Sequence, residues 1–307
     1  MEDYPFTTNE FEKEFSSEKA CRDYLFQLRW PDGFQCPRCE NDKAWLNNRL
    51  FYQCSKCNYQ VSVITGTIFQ GTHKPLQIWF KTIWWLTGQK NGASALGLAR
   101  MLGNGSYPTA WAMLHKLRRA MVTPGRNLLS GIIEADEAYI GGDKPGKRGR
   151  GAADKAIVFV GVEINESRIG RIRLQRIPNA SAPSLENAIE KNVSCGSTIQ
   201  TDGWSGYIHL DSIGYKHQVV RQEADMGNNL LPSCHRVVSL LKRWLLGTHQ
   251  GAVSHKHLDY YLDEFTFRFN RRTSKHRGKL FMRLLENAVK IEPVTINKII
   301  KNEFENK

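Results

Sequence analysis

The chain has 307 residues and carries 43 lysines and arginines against 30 aspartates and glutamates, a formal net charge of +13. This length predicts two or three domains, and the positive excess favours a polyanionic partner such as nucleic acid. No apolar run approaches the roughly 20 residues that a membrane-spanning helix needs, and the acidic start MEDYPF is unlike a signal peptide, so we expect a soluble intracellular protein without a membrane partner.

Four of the seven cysteines form two CxxC pairs in the first predicted domain, residues 1–72. Cys36 and Cys39 form one pair, and Cys54 and Cys57 form the other after fourteen intervening residues. This spacing predicts a zinc ribbon, because two tight knuckles bring four thiolates around one ion. A zinc ion with four protein ligands would be structural. Four reduced cysteines without a metal are the alternative.

Residues 73–125 change to helical periodicity and predict a helix-turn-helix domain. Three apolar-patterned segments follow one another: LQIWFKTIWWLTG, SALGLARMLG and SYPTAWAMLHKLRRAM. Lys116, Arg118 and Arg119 fall off the apolar stripe of the third segment, so we expect them to face solvent and bind DNA. A small helical bundle with a solvated basic face is the alternative.

Residues 126–285 change to strand periodicity and predict an α/β layer, with 286–307 as a C-terminal tail. Three strand candidates come first, in IIEADEAYI, AIVFVGVEI and GRIRLQRI. A helix in SAPSLENAIEKNV, a fourth strand in STIQTDG, a possible fifth in KHQVV and long helices follow. This order is that of the ribonuclease H type. The predicted fold class is therefore a multidomain α+β chain with a zinc ribbon, a helix-turn-helix and an α/β ribonuclease H-like catalytic domain.

Two acidic residues stand where this topology would bring them together. Asp136 lies in the first strand of the layer, and Asp202 directly follows the fourth. Those two strands are neighbours in the ribonuclease H topology, so the carboxylates would converge and repel each other unless a proton or cation lay between them. Oxygen ligands of this kind suit magnesium or manganese. A solvent-facing strand with ordinary surface acids is the alternative.

Three long motifs, together with the ribbon and PTAWAMLHKLRRAM, resemble the IS1595-type transposases with an ISXO2-like DDE domain. These motifs are IIEADEAYIGG, IQTDGWSGY and LLKRWLLGTHQGAVSHKHLDYYLDEFTFRFNRR. The resemblance covers roughly residues 15–285. It implies a bacterial or archaeal insertion-sequence transposase with a ribonuclease H-like core, in which Asp136 and Asp202 are the first two catalytic acids.

The third catalytic position departs from the commonest pattern of that family, which has Glu or Asn seven residues before a lysine. Here His235 precedes Lys242. Seven residues rotate a helix by about 700°, so both side chains would share one face, where His235 could bind a metal and Lys242 a phosphate. Imidazole is softer than carboxylate, so we expect weaker binding of the second ion and a tolerance for manganese. An exposed histidine and a solvated lysine without roles are the alternatives. The spare carboxylates are Glu137, Glu223, Asp225 and Glu264.

Two basic segments are predicted to contact the DNA backbone. GGDKPGKRGRG follows the first strand of the layer, and FRFNRRTSKHRGK lies near the end of the catalytic region. Glycines allow close approach to a phosphate chain, and the cations neutralise it. A solvated hairpin loop is the alternative for the first segment. The candidate residues are Lys144, Lys147, Arg148, Arg150, Arg271 and Arg272.

Residues and resemblance together predict a transposase that binds terminal inverted repeats, cleaves the element ends and catalyses strand transfer with structural Zn²⁺ and two catalytic Mg²⁺ or Mn²⁺ ions. Because two ends must be cut together, we expect a dimer or larger assembly on double-stranded DNA, in a prokaryotic cytoplasm and associated with the nucleoid. Two alternatives remain. One is a transposase-derived DNA-binding regulator without catalysis, and the other is a ribonuclease H-like nuclease without strand transfer.

Overall fold

The computed structural model describes residues 4–103, 105–123, 125–141, 155–220, 230–251 and 253–301. The chain forms two compact units. Met1–Thr123 and Ser274–Lys307 make up the first, here called the outer unit, and Pro124–Thr273 make up the second, the central unit. Among the residues described, no helix is both long enough and apolar enough to cross a bilayer.

The outer unit begins with two helices, a three-stranded sheet and three further helices. The elements are α1 (Thr8–Glu14), α2 (Glu18–Arg29), β1 (Ala44–Leu46), β2 (Tyr52–Cys54), β3 (Gln60–Val61), α3 (Leu76–Gly88), α4 (Ala95–Met101) and α5 (Tyr107–Ala120). The strands pair antiparallel in the order β1-β2-β3. Serine and threonine side chains accept backbone N–H groups at the first turns of α1, α2, α4 and α5, which fixes where these helices begin.

The central unit is a five-stranded sheet with helices on both faces. Its elements are β4 (Ile132–Ile140), β5 (Ala156–Asn165), β6 (Arg168–Ile177), α6 (Ala182–Asn192), β7 (Thr198–Thr201), β8 (Lys216–Val219), α7 (Pro232–His249) and α8 (Leu258–Phe269). The strand order is β6-β5-β4-β7-β8. The first three strands pair antiparallel, whereas β4, β7 and β8 pair parallel. The expectation that the first and fourth strands of this layer are neighbours is confirmed.

Strand β4 is buried on both faces because its alternate side chains enter two different cores. Ala138 and Ile140 pack with residues of α7 and α8. Ile133 and Ala135 pack with residues of α6 on the opposite face. Acidic residues on this strand therefore need defined partners, since burial of a lone charge is costly.

Two C-terminal helices, α9 (Arg277–Ala288) and α10 (Ile296–Lys301), belong to the outer unit. Helix α9 packs against α2, α3 and α5. Its Phe281 is fully buried, with ring centroids within 5.4–5.7 Å of four aromatic rings, those of Phe11, Phe15, Phe80 and Trp84. This differs from the sequence-based division, which placed residues up to 285 in the catalytic domain and the rest in a tail. The amphipathic pattern of α9 predicts a helix, but it does not reveal an aromatic partner some 200–270 residues away.

Helix α5 buries charge that the sequence placed in solvent. Arg118 is 2% exposed, and its Nη2 donates to the carbonyl of Ala93 at 3.1 Å. Lys116 and Arg119 are partly buried, and desolvation lowers the pKa of Lys116. The expectation of a solvent-facing Arg118 was wrong, because α5 packs against α4, α9 and α10 and has little free surface.

We expect Phe281→Ala to lower the unfolding free energy of the outer unit by about 3–5 kcal/mol, the usual cost of truncating a buried phenylalanine. Hydrogen exchange of the full chain at increasing urea concentrations measures the unfolding free energy of each unit separately. Phe6→Ala is the control, because Phe6 is an exposed ring of the same unit. Equal loss of protection in the strands of the central unit would contradict the assignment of α9.

Candidate active site

The three acidic residues of β4 have three different environments. Asp136 lies in the middle of the strand, and its side chain is 18% exposed. Glu134, on the same face, is buried and accepts the backbone N–H groups of Ser233 at 2.8 Å and Cys234 at 2.9 Å. Glu137, on the opposite face, accepts the hydroxyl of Tyr207 at 3.0 Å. Asp136 is thus partly exposed and lies between two acids whose carboxylates accept hydrogen bonds from other elements of the fold.

Asp202 comes to the same edge of the sheet through the parallel pairing of β4 with β7. Glu134 is in register with Gln200, so a step of two residues along both strands leads to Asp136 and Asp202. The left-handed backbone of Gly203 (φ 83°) ends the strand at this point. Asp202 is exposed, and its Oδ1 accepts the N–H of Trp204 at 3.0 Å.

Asp136 is electrostatically strained as a carboxylate. Its pKa is raised to about 6, first by burial and then by the negative charges of Glu137 and Asp202. The N–H of Glu137, which donates to Asp136 Oδ1 at 2.8 Å, and the imidazole of His235 act in the opposite direction. Burial and like charge together therefore oppose the ionised form of Asp136.

His235 and Lys242 both lie on the exposed face of α7. His235 is in the first turn of this helix, and its Nε2 is 3.6 Å from Asp136 Oδ2. Its side chain is 51% exposed. Lys242 is exposed seven residues later. The structure thus places an imidazole beside Asp136 and a cation two turns along the same helix, while the roles predicted for both remain predictions.

The spare carboxylates have other surroundings. Glu264 is fully buried and accepts Arg268 Nε at 2.9 Å, so it serves an internal ion pair. Glu137 is held by Tyr207, as described above. Glu223 and Asp225 lie outside the described residues.

The four cysteines form a compact cluster in the outer unit. All four sulfur atoms lie within 4.8 Å of one another, with Cys36 to Cys57 and Cys39 to Cys54 at 3.6 Å. A tetrahedral zinc site with Zn–S bonds of about 2.3 Å has sulfur separations of about 3.8 Å. Burial opposes the ionisation of Cys54, but the N–H groups of Cys57 and Lys56 and the thiols of Cys39 and Cys57 together outweigh it and lower its pKa to about 6. Within the part of the chain that the structure describes, this is the only cluster of three or more His, Cys, Asp or Glu residues that could hold a metal ion; Asp136, Asp202 and His235 do not form such a cluster.

The basic candidates differ in their freedom to bind DNA. Arg271 lies over the ring of Phe267 at 4.1 Å. Arg272 donates to the carbonyls of Ile169, Gly170 and Phe269, so it also covers the edge strand β6. The other loop candidates, Lys144, Lys147, Arg148 and Arg150, lie outside the described residues.

Sequence reasoning missed two residues that build the site, Glu134 and Tyr207. The one signal for Glu134 was an acid in a buried strand on the same face as Asp136. Tyr207 stood in the motif TDGWSGY without an assigned role. Their partners lie 99 and 70 residues away, which local patterns do not show.

The central unit and the ribbon each match a known family model. Residues 128–270 match the ISXO2-like transposase domain, and residues 16–60 match the transposase zinc-ribbon domain, both of the IS1595 type. An uncharacterized protein in the transposable element ISH50 of Halobacterium salinarum is 28% identical over 301 residues, covering 90% of this chain and 99% of that protein.

Two solved structures are similar in part. The catalytic core domain of BIV integrase shares 14% identity at a TM-score of 0.33, covering 50% of this chain and 94% of that one. A chain of a pre-cleavage Mos1 transpososome shares 13% identity at a TM-score of 0.27, covering 68% of this chain and 78% of that one. Neither likeness, at such TM-scores, bears on what this chain does. The two family models agree and together span more than half of the residues, and the chain therefore belongs to the IS1595-type transposases with an ISXO2-like transposase domain and a transposase zinc ribbon.

Proposed function

We propose that this transposase binds the terminal inverted repeats of its element, cleaves the element ends and transfers the strands to target DNA by two-metal phosphoryl transfer. The observation that carries the proposal is the convergence of Asp136 and Asp202 from adjacent parallel strands, with His235 3.6 Å from Asp136. We assign these three residues as the catalytic metal ligands.

The topology of the central unit supports a ribonuclease H-like catalytic domain. Numbered within this unit, the strands have the order 3-2-1-4-5, with an antiparallel half and a parallel half. The first acid lies on the central strand, and the second follows the strand beside it. This is the arrangement that the sequence motifs of the transposase domain led us to expect.

The donor set of the site fits a hard divalent cation. Asp136 and Asp202 supply carboxylate oxygens, and burial together with the charges of Glu137 and Asp202 raises the pKa of Asp136 to about 6, so a cation bound there would offset the cost of its ionisation. Magnesium and manganese favour such ligands, and manganese also accepts the imidazole of His235. Bound there, a pair of such ions would activate a water or a 3′-hydroxyl and stabilise the departing oxygen.

The residues of the chain then have defined tasks. Asp136 and Asp202 would hold the cations, which in turn would bind the scissile phosphate, and His235 would complete the ligand set. Lys242, exposed on the same helix, contacts a DNA phosphate. No serine or tyrosine nucleophile is needed, because the attacking group is a hydroxyl of water or DNA.

DNA recognition is assigned to the ribbon and to helices α3 to α5, the proposed helix-turn-helix. The sulfur cluster fits one structural zinc ion. Lys116 and Arg119 remain candidates for DNA contact, whereas the buried Arg118 does not. Lys144, Lys147, Arg148, Arg150, Arg271 and Arg272 are proposed contacts to the DNA backbone. Cleavage of two ends together implies a dimer or larger assembly on DNA.

Two observations favour a second function, a DNA-binding regulator without catalysis. The third position holds a histidine, and the four cysteines are the only potential metal cluster among the described residues. A regulator of this kind would keep the ribbon and lose strand transfer.

We expect Asp136→Ala and Asp202→Ala each to reduce cleavage and strand transfer more than about 100-fold while leaving end binding intact. Loss of an outer-shell partner already costs about 10–100-fold, and loss of a ligand costs more. The assay is joining of an end-containing duplex with manganese, alongside gel retardation. Glu190→Ala, an exposed acid on α6, is the control.

Three results would count against this assignment. Retarded bands without a joined product from the unaltered protein would identify a regulator. Cutting without joining would identify a nuclease. Loss of end binding in both variants would indicate that the two acids are needed for folding.

The electrostatic strain at Asp136 predicts a pH-dependent stability. The pKa of Asp136 rises from 3.8 to about 6 on folding, so the folded state binds more protons in this window and its unfolding free energy falls as the pH rises. Asp136→Asn removes this cost. Without magnesium or manganese, we expect the variant to be more stable at pH 7.5 by on the order of 2–3 kcal/mol, with the difference vanishing toward pH 4. Urea unfolding at several pH values measures the difference in unfolding free energy between the variant and the unaltered protein. A difference that does not change with pH would contradict a raised pKa of Asp136.

A further inference from the structure

The acids on either side of Asp136 point to a positioning device. We propose that Glu134 and Glu137 are positioning residues that fasten the elements carrying His235 and Asp202 onto β4. The proposal rests on the proposed function in treating those two positions as metal ligands. It assigns the flanking acids a role outside the ligand set.

Glu134 caps a helix from another element of the fold. Its Oε2 accepts two N–H groups in the first turn of α7, those of Ser233 and Cys234. The N-cap residue of α7, Leu231, makes no side-chain capping hydrogen bond. The N-terminal N–H groups of a helix lack partners within the helix and carry partial positive charge, so a carboxylate placed there stabilises the helix start. Glu134 is only 6% exposed, so water is a poor substitute.

The position of this cap sets where His235 stands. Glu134 and Asp136 lie two residues apart on one face of β4. Cys234, the second capped residue, directly precedes His235. Two hydrogen bonds of 2.8 and 2.9 Å therefore hold the first turn of α7 against β4 beside Asp136, where the imidazole lies 3.6 Å from that carboxylate.

Glu137 has the equivalent task on the opposite face. It accepts the hydroxyl of Tyr207, which is fully buried. Tyr207 ends the short helical turn Ser205–Tyr207, which begins three residues after Asp202. Asp202 itself is joined to this segment through the N–H of Trp204. The hydroxyl of Tyr207 therefore ties the segment that carries Asp202 to the strand that carries Asp136.

Of the two anchors, Glu134 and Glu137, it is Glu137 that raises the pKa of Asp136 through its negative charge, where a neutral acceptor would lower the repulsion. At Glu134 the helix terminus compensates the charge, and at Glu137 the tyrosine hydroxyl does so in part. Strand β4 thus carries the first proposed ligand, Asp136. Through Glu134 and Glu137 it also positions the segments that carry the other two, His235 and Asp202.

The test compares Glu134→Ala with Glu134→Gln, and Tyr207→Phe with Tyr215→Phe, in the full chain. Hydrogen exchange without magnesium or manganese is measured first. We expect Glu134→Ala to speed exchange at least about tenfold in peptides spanning 232–240 and to leave 203–209 unchanged. Tyr207→Phe should speed exchange in 203–209 and leave 232–240 unchanged. Glu134→Gln should restore protection, because a single amide oxygen can accept both N–H groups.

Manganese binding is the second readout. Partners beyond the ligands usually contribute about 10–100-fold to metal affinity, so we expect losses of that size in Glu134→Ala and Tyr207→Phe. Tyr215→Phe is the matched control, since it removes a buried hydroxyl that donates to the carbonyl of Val193 in the same unit. It should change neither the exchange of 203–209 and 232–240 nor the affinity for manganese.

Unchanged exchange in both segments, or an equal rise across the whole central unit, would overturn the proposal. So would full manganese affinity in both anchor variants. If the unaltered protein binds no manganese at Asp136 and Asp202, the proposed function fails, while the exchange measurements still decide whether the two anchors exist.

Discussion

The parallel pairing of β4 with β7 is the constraint on which the rest of the site depends. Because Glu134 and Gln200 are in register, Asp202 follows the last residue of β7 at the level of Asp136, at the edge of the sheet where β7 ends, while β4 continues to Ile140. A shift of one residue in this register would turn one carboxylate to the other face of the sheet. The helices and turns around this edge then add His235 and the hydrogen bonds that hold it.

That arrangement concentrates like charge in a partly buried place. Burial and two neighbouring carboxylates raise the pKa of Asp136 to about 6, which is a stability cost in the absence of a cation. Active sites commonly accept such costs, since the strained groups are the ones that bind metal or move protons. In this chain the cost falls on a strand that both cores of the central unit hold in place.

Much of the fold followed from local sequence patterns. The alternation in IIEADEAYI and the order of strands and helices predicted the central sheet, and two CxxC pairs predicted the sulfur cluster. The placement of α9 was not predictable, because its helical pattern does not specify which core receives Phe281. Arg118 was misplaced because its position off the apolar stripe of α5 suggested solvent, whereas its guanidinium donates to the carbonyl of Ala93 among packed helices. The anchors at Glu134 and Tyr207 were missed since their partners are far away in the chain.

The most direct test of this account is the structure of the full chain with manganese, located by its anomalous scattering. We expect manganese at the edge of the central sheet, coordinated by both Asp136 and Asp202, with the imidazole of His235 within bonding distance of one ion. Two aspartates that face apart, with manganese bound at neither or at only one of them, would contradict the account.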